Sequence, residues 1–313
     1  MNLLVTGGCG FIGSNFIEHT ISKSQINKLV NVDCLSYAGS INNTKKFKDH
    51  PKYIFEKYNL TDYKKVYDTF YKHDITHVVH LAAETHVDNS ILNADTFLTS
   101  NVLGTHNLLK AALKFKVKKF YHVSTDEVYG HLEKGDDKFN ESSPYNPRNP
   151  YSASKASSDF LVRSYFYTHS LPILISNCCN NYGPNQHEEK FIPTVINSLL
   201  NDEQIPVYGK GDNIRDWIYV KDHCEAIWGI LTKGKLGETY LVGANCEKTN
   251  LEIISNICKI LGKDPNENIN FIKDRLGHDF RYAIDNSKIR KEIKWNPKTS
   301  LEEGLKKTIK YYA

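Results

Sequence analysis

The chain has 313 residues, 40% of them hydrophobic and 12% aromatic, which supports one large core or two smaller ones and excludes a disordered polymer. Forty basic side chains against 36 acidic ones leave a formal charge of +4 without a concentrated basic run, so nucleic acid is not the expected partner. No stretch is apolar and long enough to suggest a membrane span, and seven cysteines, an odd number with no Cys-x-x-Cys pair, fit free thiols in a reducing cytoplasm with no metal site.

The chain is read as opening directly on a buried strand, with no secretory leader. Strands are expected at Leu3–Thr6, Leu29–Asp33, Tyr53–Tyr58, His77–Ala83, Lys119–Ser124 and Pro172–Ser176. Most of these runs lack in-out alternation, as strands covered on both faces do. Helical patterns fall between them, at Ser14–Lys23, Asp62–Lys72, Ala94–Phe115 and Tyr151–Thr168. Strand and helix in repeated alternation specify an α/β fold: a doubly wound, Rossmann-type parallel sheet. Residues 1–177 are assigned to that domain. Beyond Asn177 a turn-rich segment, Asn180 to Asn185, precedes a helix at Phe191–Leu200 and short strands near Pro206–Tyr208 and Arg215–Val220. Helices follow near Asp222–Leu231, Leu251–Leu261 and Leu301–Tyr311. Residues 178–313 are read as a smaller, partly interwoven substrate domain, one segment of which can return as an edge strand of the large sheet.

The first chemical signal is Gly7-x-x-Gly10-x-x-Gly13, placed between a strand and a helix. Glycines let the backbone approach a pyrophosphate, and the free N–H groups of the helix N-terminus bind its charge. Asp33 closes the second strand, twenty residues after Gly13. A carboxylate there accepts bonds from an adenosine ribose and repels a 2′-phosphate, so NAD is the expected cofactor rather than NADP. No Gly-Lys-Ser/Thr follows, which excludes a Walker-type phosphate loop.

The second signal is Ser124-Thr125-Asp126-Glu127 at the carboxyl end of the fifth strand, where open α/β sheets place their ligands. Tyr151 and Lys155 stand four residues apart, on one face of a helix. A lysine cation favours a nearby phenolate and brings tyrosine toward use as a base. With Ser124 or Thr125 beside it, that pair suits removal of an alcohol proton as hydride leaves for NAD. Adjacent acids at a strand end are commonly a solvated turn. Placed beside a hydride site, Asp126 and Glu127 also suit dehydration, one as acid and the other as base, if their surroundings split their pKa values.

These pieces together resemble the nucleotide-sugar 4,6-dehydratases of the extended short-chain dehydrogenase/reductase family, those acting on dTDP-glucose most closely. The resemblance runs from Asn2 to Tyr312. It rests on Leu81-Ala82-Ala83-Glu84-Thr85-His86-Val87-Asp88, on Ser124–Gly130, on Asn149–Ala156, on Asn180–Pro184, on Arg215–Val220 and on Asp274–Asp279 with Arg281-Tyr282. It implies NAD held by Gly7, Gly10, Phe11, Ile12, Gly13, Asp33, Asn59, Leu60, Leu81, Ala82, Ala83, Tyr151 and Lys155. It implies substrate contacts at His86, Ser124, Asn177, Glu189, Lys190, Arg215, Asn250, Arg275 and His278, the arginines matching diphosphate oxygens. In the implied cycle Tyr151 and Lys155 serve C4 oxidation, Thr125 bonds the C4 oxygen, Glu127 takes the C5 proton and Asp126 protonates the leaving C6 hydroxyl. The product would be a 4-keto-6-deoxyglucose nucleotide bound for deoxysugars such as rhamnose. A homodimer packed through the helices at 94–115 and 151–168 is also implied, with Phe160, Leu161, Tyr165, Phe166 and Tyr167 covering the sheet and the partner. Asn59, Asn89, Cys179, Glu188 and Lys210 depart from the family pattern. Asn89 is shared with UDP-glucose 4,6-dehydratases, which makes UDP-glucose the alternative substrate. A UDP-sugar 4-epimerase would use the same tyrosine and lysine without needing the two acids, and a catalytically silent nucleotide-binding regulator would need none of the four.

Overall fold

The computed structural model describes residues 1–313. Its strands are β1 (Asn2–Thr6), β2 (Lys28–Asp33), β3 (Tyr53–Lys57), β4 (His77–His80), β5 (Lys119–Thr125), β6 (Ile173–Cys178), β7 (Asn180–Tyr182), β8 (Ile205–Tyr208), β9 (Ile214–Tyr219), β10 (Thr239–Val242), β11 (Glu247–Thr249) and β12 (Ile269–Ile272). Seven of them form one sheet in the order β10-β6-β5-β4-β1-β2-β3. Every neighbouring pair in it is parallel. Strand order reverses between β1 and β4, and in sheets of this kind a ligand crevice opens at that switch point.

Successive side chains of a strand point to opposite faces, so a strand covered on both sides is apolar throughout. In β1, Leu3 and Val5 join a cluster with Phe16, Ile17, Ile227 and Ile230. Leu4 faces the other way, into a cluster with Val30, Val66, Phe70, Leu108 and Val162. The helices Phe11–Thr20 and Val220–Lys233 thus cover one face, and Tyr63–His73, Gly104–Lys114 and Pro150–His169 the other.

The expected helix at 94–115 is present with an interruption. An α-helical start at Ala94–Phe97 widens into a π-helical stretch at Leu98–Leu103 before Gly104–Lys114 resumes. Such wide turns recur at functional sites, and here the stretch holds Asn101, which bonds Glu84 N, Glu84 O and Ser154 Oγ and so ties the loop after β4 to the Pro150–His169 helix.

The later half supplies two small sheets, β11-β9-β7 and β12-β8. Helices Phe191–Leu200, Asn250–Leu261 and Leu301–Tyr312 surround them over a separate apolar cluster that includes Ile196, Trp217, Ile254 and Leu305. Three late segments pack on the large sheet instead: the Val220–Lys233 helix, the edge strand β10 beside β6, and Ser287–Trp295 through Ile289, Ile293 and Trp295. No helix is long and apolar enough to cross a membrane.

Candidate active site

A cavity of about 310 Å³ opens at the switch point, and 35 residues line it. Its floor is the turn after β1. Gly7 adopts φ +71°, and a Cβ there would sit 2.7 Å from the Ala82 backbone, so only glycine lets this turn meet the end of β4. Gly10 caps the following helix without a side-chain bond, which leaves the N–H groups of the first turn free for an anion. Beside it, buried Asp33 accepts from Cys9 N (2.9 Å) and Leu35 N (2.8 Å). Burial pushes its carboxyl up, and those two bonds oppose the shift. All the residues expected at the cofactor line this cavity, from Gly7 and Asp33 through Asn59, Leu60 and Leu81–Ala83 to Tyr151 and Lys155.

The far wall is built by β5 and the Pro150–His169 helix. Pro150 at the first helical position and a reciprocal Asn149–Ser152 capping box start that helix one residue before Tyr151. Tyr151 and Lys155 are both buried, and the Lys155 ammonium donates to Val123 O at 3.0 Å. Burial pulls the lysine down, while Asp159 opposes the shift. The tyrosine departs from the sequence expectation. Burial, reinforced by the charge of Glu127, holds its phenol well above the usual value, and the Thr125 hydroxyl is the neighbour that favours ionisation.

Thr125 ends β5 and caps a one-turn helix, Asp126–Tyr129, its hydroxyl accepting from Glu127 N at 3.3 Å. The two acids therefore meet different neighbours. Asp126 is 2% exposed, and burial together with Glu127 and Asp216 holds its carboxyl well above the usual range. Burial also raises Glu127, but Arg215, Lys190 and Arg275 pull the other way. Both carboxyls stand above the usual range, Asp126 further than Glu127, and a difference of that sign suits the first to an acid role and the second to a base role. Four polar atoms of the wall, Ser124 Oγ, Asp126 Oδ2, Asn180 Oδ1 and Gln186 Oε1, are buried without a protein partner, the condition expected where a polar ligand completes the bonding. The glycine cradle, the free helix terminus and Asp33 fit a dinucleotide.

The expected substrate residues divide. Ser124 and Lys190 line the cavity; His86, Asn177, Glu189, Arg215, Asn250, Arg275 and His278 do not. Lys190 Nζ donates to Thr85 O (3.0 Å), and His86 Nε2 lies 3.7 Å from Glu189. Arg215 lies over the Tyr282 ring at 4.3 Å and donates to the Ile214, Phe280 and Asp279 carbonyls. Arg275 pairs with Asp88 at 2.6 Å, His278 with Asp274 at 2.7 Å, and Asn250 opens the helix after β11. The charges of Arg215 and Arg275 nonetheless oppose the rise of the Glu127 carboxyl, and that of Arg215 opposes the rise of Asp126 too. Asn177 is fully buried; its amide donates to Thr125 O (3.1 Å) and Asp159 Oδ2 (3.0 Å), so it supports the catalytic strand from behind. Asn180, three residues on, holds the wall position instead. Sequence reading also left out Tyr37 and His187, whose rings meet at 5.6 Å at the cavity, and the lining residues Cys178 and Gln186. The strand-end rule that found Thr125 also marks Cys178 and Asn180.

Residues 4–308 match the family model described as GDP-mannose 4,6 dehydratase. A dTDP-glucose 4,6-dehydratase of Haemophilus influenzae is 44% identical over 331 residues, covering 100% of this chain and 98% of its own. The solved dTDP-glucose 4,6-dehydratase DesIV of Streptomyces venezuelae, with NAD bound, superposes with a TM-score of 0.96 at 40% identity, covering 100% of this chain and 97% of its own. The UDP-glucose 4-epimerase of Thermus thermophilus in complex with NAD reaches a TM-score of 0.92 at 27% identity, covering 100% and 99%. In sequence along its whole length and in fold, the chain belongs to the GDP-mannose 4,6 dehydratase family, alongside the dTDP-glucose 4,6-dehydratases.

Proposed function

We infer that the protein is an NAD-dependent dTDP-glucose 4,6-dehydratase that turns its substrate into dTDP-4-keto-6-deoxyglucose and water. The observation that carries this reading is the pair of carboxyls on the turn after β5, both lining the cofactor's cavity and raised to different degrees. Bound NAD supplies a ring that accepts hydride from the sugar's C4 and returns it at C6. Tyr151 takes the C4 hydroxyl proton, and the Thr125 hydroxyl bonds the C4 oxygen. The resulting ketone acidifies C5–H, Glu127 removes that proton, and neutral Asp126 protonates the C6 hydroxyl as it departs. Arg215, Arg275 and Lys190, already grouped around Glu127, hold the diphosphate and its sugar. Residues 1–177 with the returning late segments form the nucleotide-binding unit, and the remainder of 178–313 grips the substrate.

The relatives at 44% identity favour thymidine over uridine as the base. The test is a side-by-side rate comparison on dTDP-glucose and UDP-glucose, read by the ultraviolet absorbance that a 4-keto-6-deoxy product develops in alkali. An epimerised sugar gives no such absorbance and would overturn the reading. Two copies pair through one helical face: Leu98 (51% exposed), Phe160 (59%) and Tyr167 (79%) stand out from the helices at 94–114 and 150–169, while Leu161, Tyr165 and Phe166 pack inward. Light scattering that returns a monomer mass refutes the pairing. The free thiols of all seven cysteines fit a cytoplasmic home.

A further inference from the structure

Two loops from different halves of the chain stand on the turn that cradles the cofactor. The loop after β2 is tied to its start: Ser40 N (3.0 Å) and Asn43 Nδ2 (2.9 Å) both donate to Cys9 O. The loop after β7 is tied to its end: Asn15 Nδ2 donates to Pro184 O (2.9 Å), and Asn185 Nδ2 donates to Ser14 Oγ (3.0 Å). The last helix braces that second loop, Tyr311 Oη donating to Asn185 Oδ1 (2.8 Å) and Tyr312 Oη to Gln186 O. Between the two feet lie Gly10, Phe11, Ile12 and Gly13, which line the cavity and carry the free N–H groups of the first helical turn.

The loops also meet at their other ends. Tyr37 of the first and His187 of the second both line the cavity, and their rings pack edge to face, 5.6 Å apart at 74°. The circuit is therefore closed: Cys9, the first loop, Tyr37, His187, the second loop, Ser14 with Asn15, and back along the helix to Cys9. It is not equally strong all round. Two hydrogen bonds hold each foot, whereas one ring contact closes the top, and Tyr37 is 40% exposed. An opening of the circuit begins at its least supported link. We propose that the Tyr37–His187 contact is a clasp that closes this collar over the pyrophosphate of bound NAD and sets how fast the cofactor leaves. The proposal rests on the cycle inferred above and supplies what that cycle needs. Hydride leaves C4 and returns at C6 of the same sugar, so a reduced cofactor that escaped between the two steps would strand a ketone.

The test is cofactor exchange in the full chain. Protein loaded with deuterated NAD is mixed with excess unlabelled NAD, and the label still bound is followed by mass spectrometry. Tyr37→Ala and His187→Ala should each speed its loss roughly two- to tenfold, the worth of one aromatic pair. The double variant should be no faster than the faster single one, because the same contact is broken only once. Tyr37→Phe keeps the ring and should recover most of the retention lost in Tyr37→Ala. Loss at the wild-type rate in both alanine variants overturns the clasp. So do single effects that multiply in the double variant, and a Tyr37→Phe chain that loses label as fast as Tyr37→Ala. Failure of both Tyr37→Ala and Tyr37→Ser to fold assigns the ring a structural role and overturns it as well. A wild-type protein that takes up no NAD refutes the cofactor reading and the clasp with it; one that retains NAD without reducing it on dTDP-glucose refutes the cycle, while the exchange rates still decide the clasp.

Discussion

Gly13→Ala tests the phosphate cradle. A Cβ on Gly13 would sit 2.1 Å from the Gly7 carbonyl oxygen and 2.7 Å from Gly8 Cα. Both are backbone atoms, so no rotamer change relieves the contact. Ordinary contact begins near 3.4 Å, and the helix must back away from its turn by more than an ångström. Overpacking of this kind costs about 1–3 kcal/mol, which for a chain of this size lowers Tm by roughly 2–10 °C. The shift also moves the free N–H groups of the first turn off a bound pyrophosphate. Losing one hydrogen bond to a charged group costs about 1.5–3 kcal/mol, so NAD affinity should fall at least about tenfold. Thermal melting with and without added NAD, and NAD released from denatured protein, measure both effects. Gly10→Ala is the graded control: its Cβ meets only Gly7 O, at 3.3 Å, a misfit of a tenth of an ångström that a small shift absorbs. A Gly13→Ala chain that keeps its NAD and its Tm, or one no worse than Gly10→Ala, would refute the steric argument.

Glu127→Gln should slow solvent deuterium exchange at the sugar's C5 by about 10²–10⁴-fold while nicotinamide reduction on dTDP-glucose persists; unchanged exchange would remove Glu127 from the base role. Tyr151→Phe should suppress that reduction itself, and a near-normal single-turnover absorbance change would defeat the assignment. Asp126→Asn should block elimination after oxidation, seen as reduced nicotinamide without the alkali-absorbing product. The same variant has a stability consequence. A carboxyl whose folded pKa is raised above its unfolded one costs stability as pH climbs from the unfolded value through the folded one. Asp126→Asn should therefore melt higher than wild type at neutral pH, with the gain vanishing as pH falls toward 3.8, the unperturbed value for aspartate; a gain that is the same at every pH would contradict the shift.

The strands of the large sheet up to β6 can be read from sequence to within a few residues, because a strand covered on both faces is an unbroken apolar run between helical stretches. β10 is different. Thr239–Val242 is four residues long and equally apolar, but what makes it part of the sheet is its register against Ile175–Cys178, and pairing across some 60 residues leaves no local mark. β7 and β11 have three residues each, Asn-Asn-Tyr and Glu-Lys-Thr, and carry no strand pattern at all. The cofactor wall and the Thr125–Lys155 constellation are legible because each motif sits at a strand end or on one helical face. Asn177 shows the limit of that logic. It stands in register with Ser124, yet its amide is spent behind the strand, and the wall position falls to Asn180. The Arg275–Asp88 pair joins residues 187 positions apart, so neither partner's surroundings can be read locally.

Dehydratases and epimerases share this fold, so the fold does not choose between them. Both begin with a tyrosine and a lysine that help a sugar alcohol become a ketone. The fate of that ketone depends on which groups wait beside C5 and C6. Here the choice is built at one turn. Thr125 fixes the Glu127 N–H, and burial raises both of the consecutive carboxyls: Asp126 the further, beside Glu127 and Asp216 and without a partner for Oδ2, and Glu127 less, with Lys190 and Arg275 added to the Arg215 cation that both feel. In the proposed cycle the first gives a proton and the second takes one. A 4-keto sugar held against that turn has an acidified C5–H facing a base and a C6 hydroxyl facing an acid, and losing water is the step both carboxyls favour. Without them the same oxidation can only reverse, to the starting sugar or to its epimer. In the proposed cycle the elimination therefore depends on two adjacent residues, held by one short turn within reach of one ring.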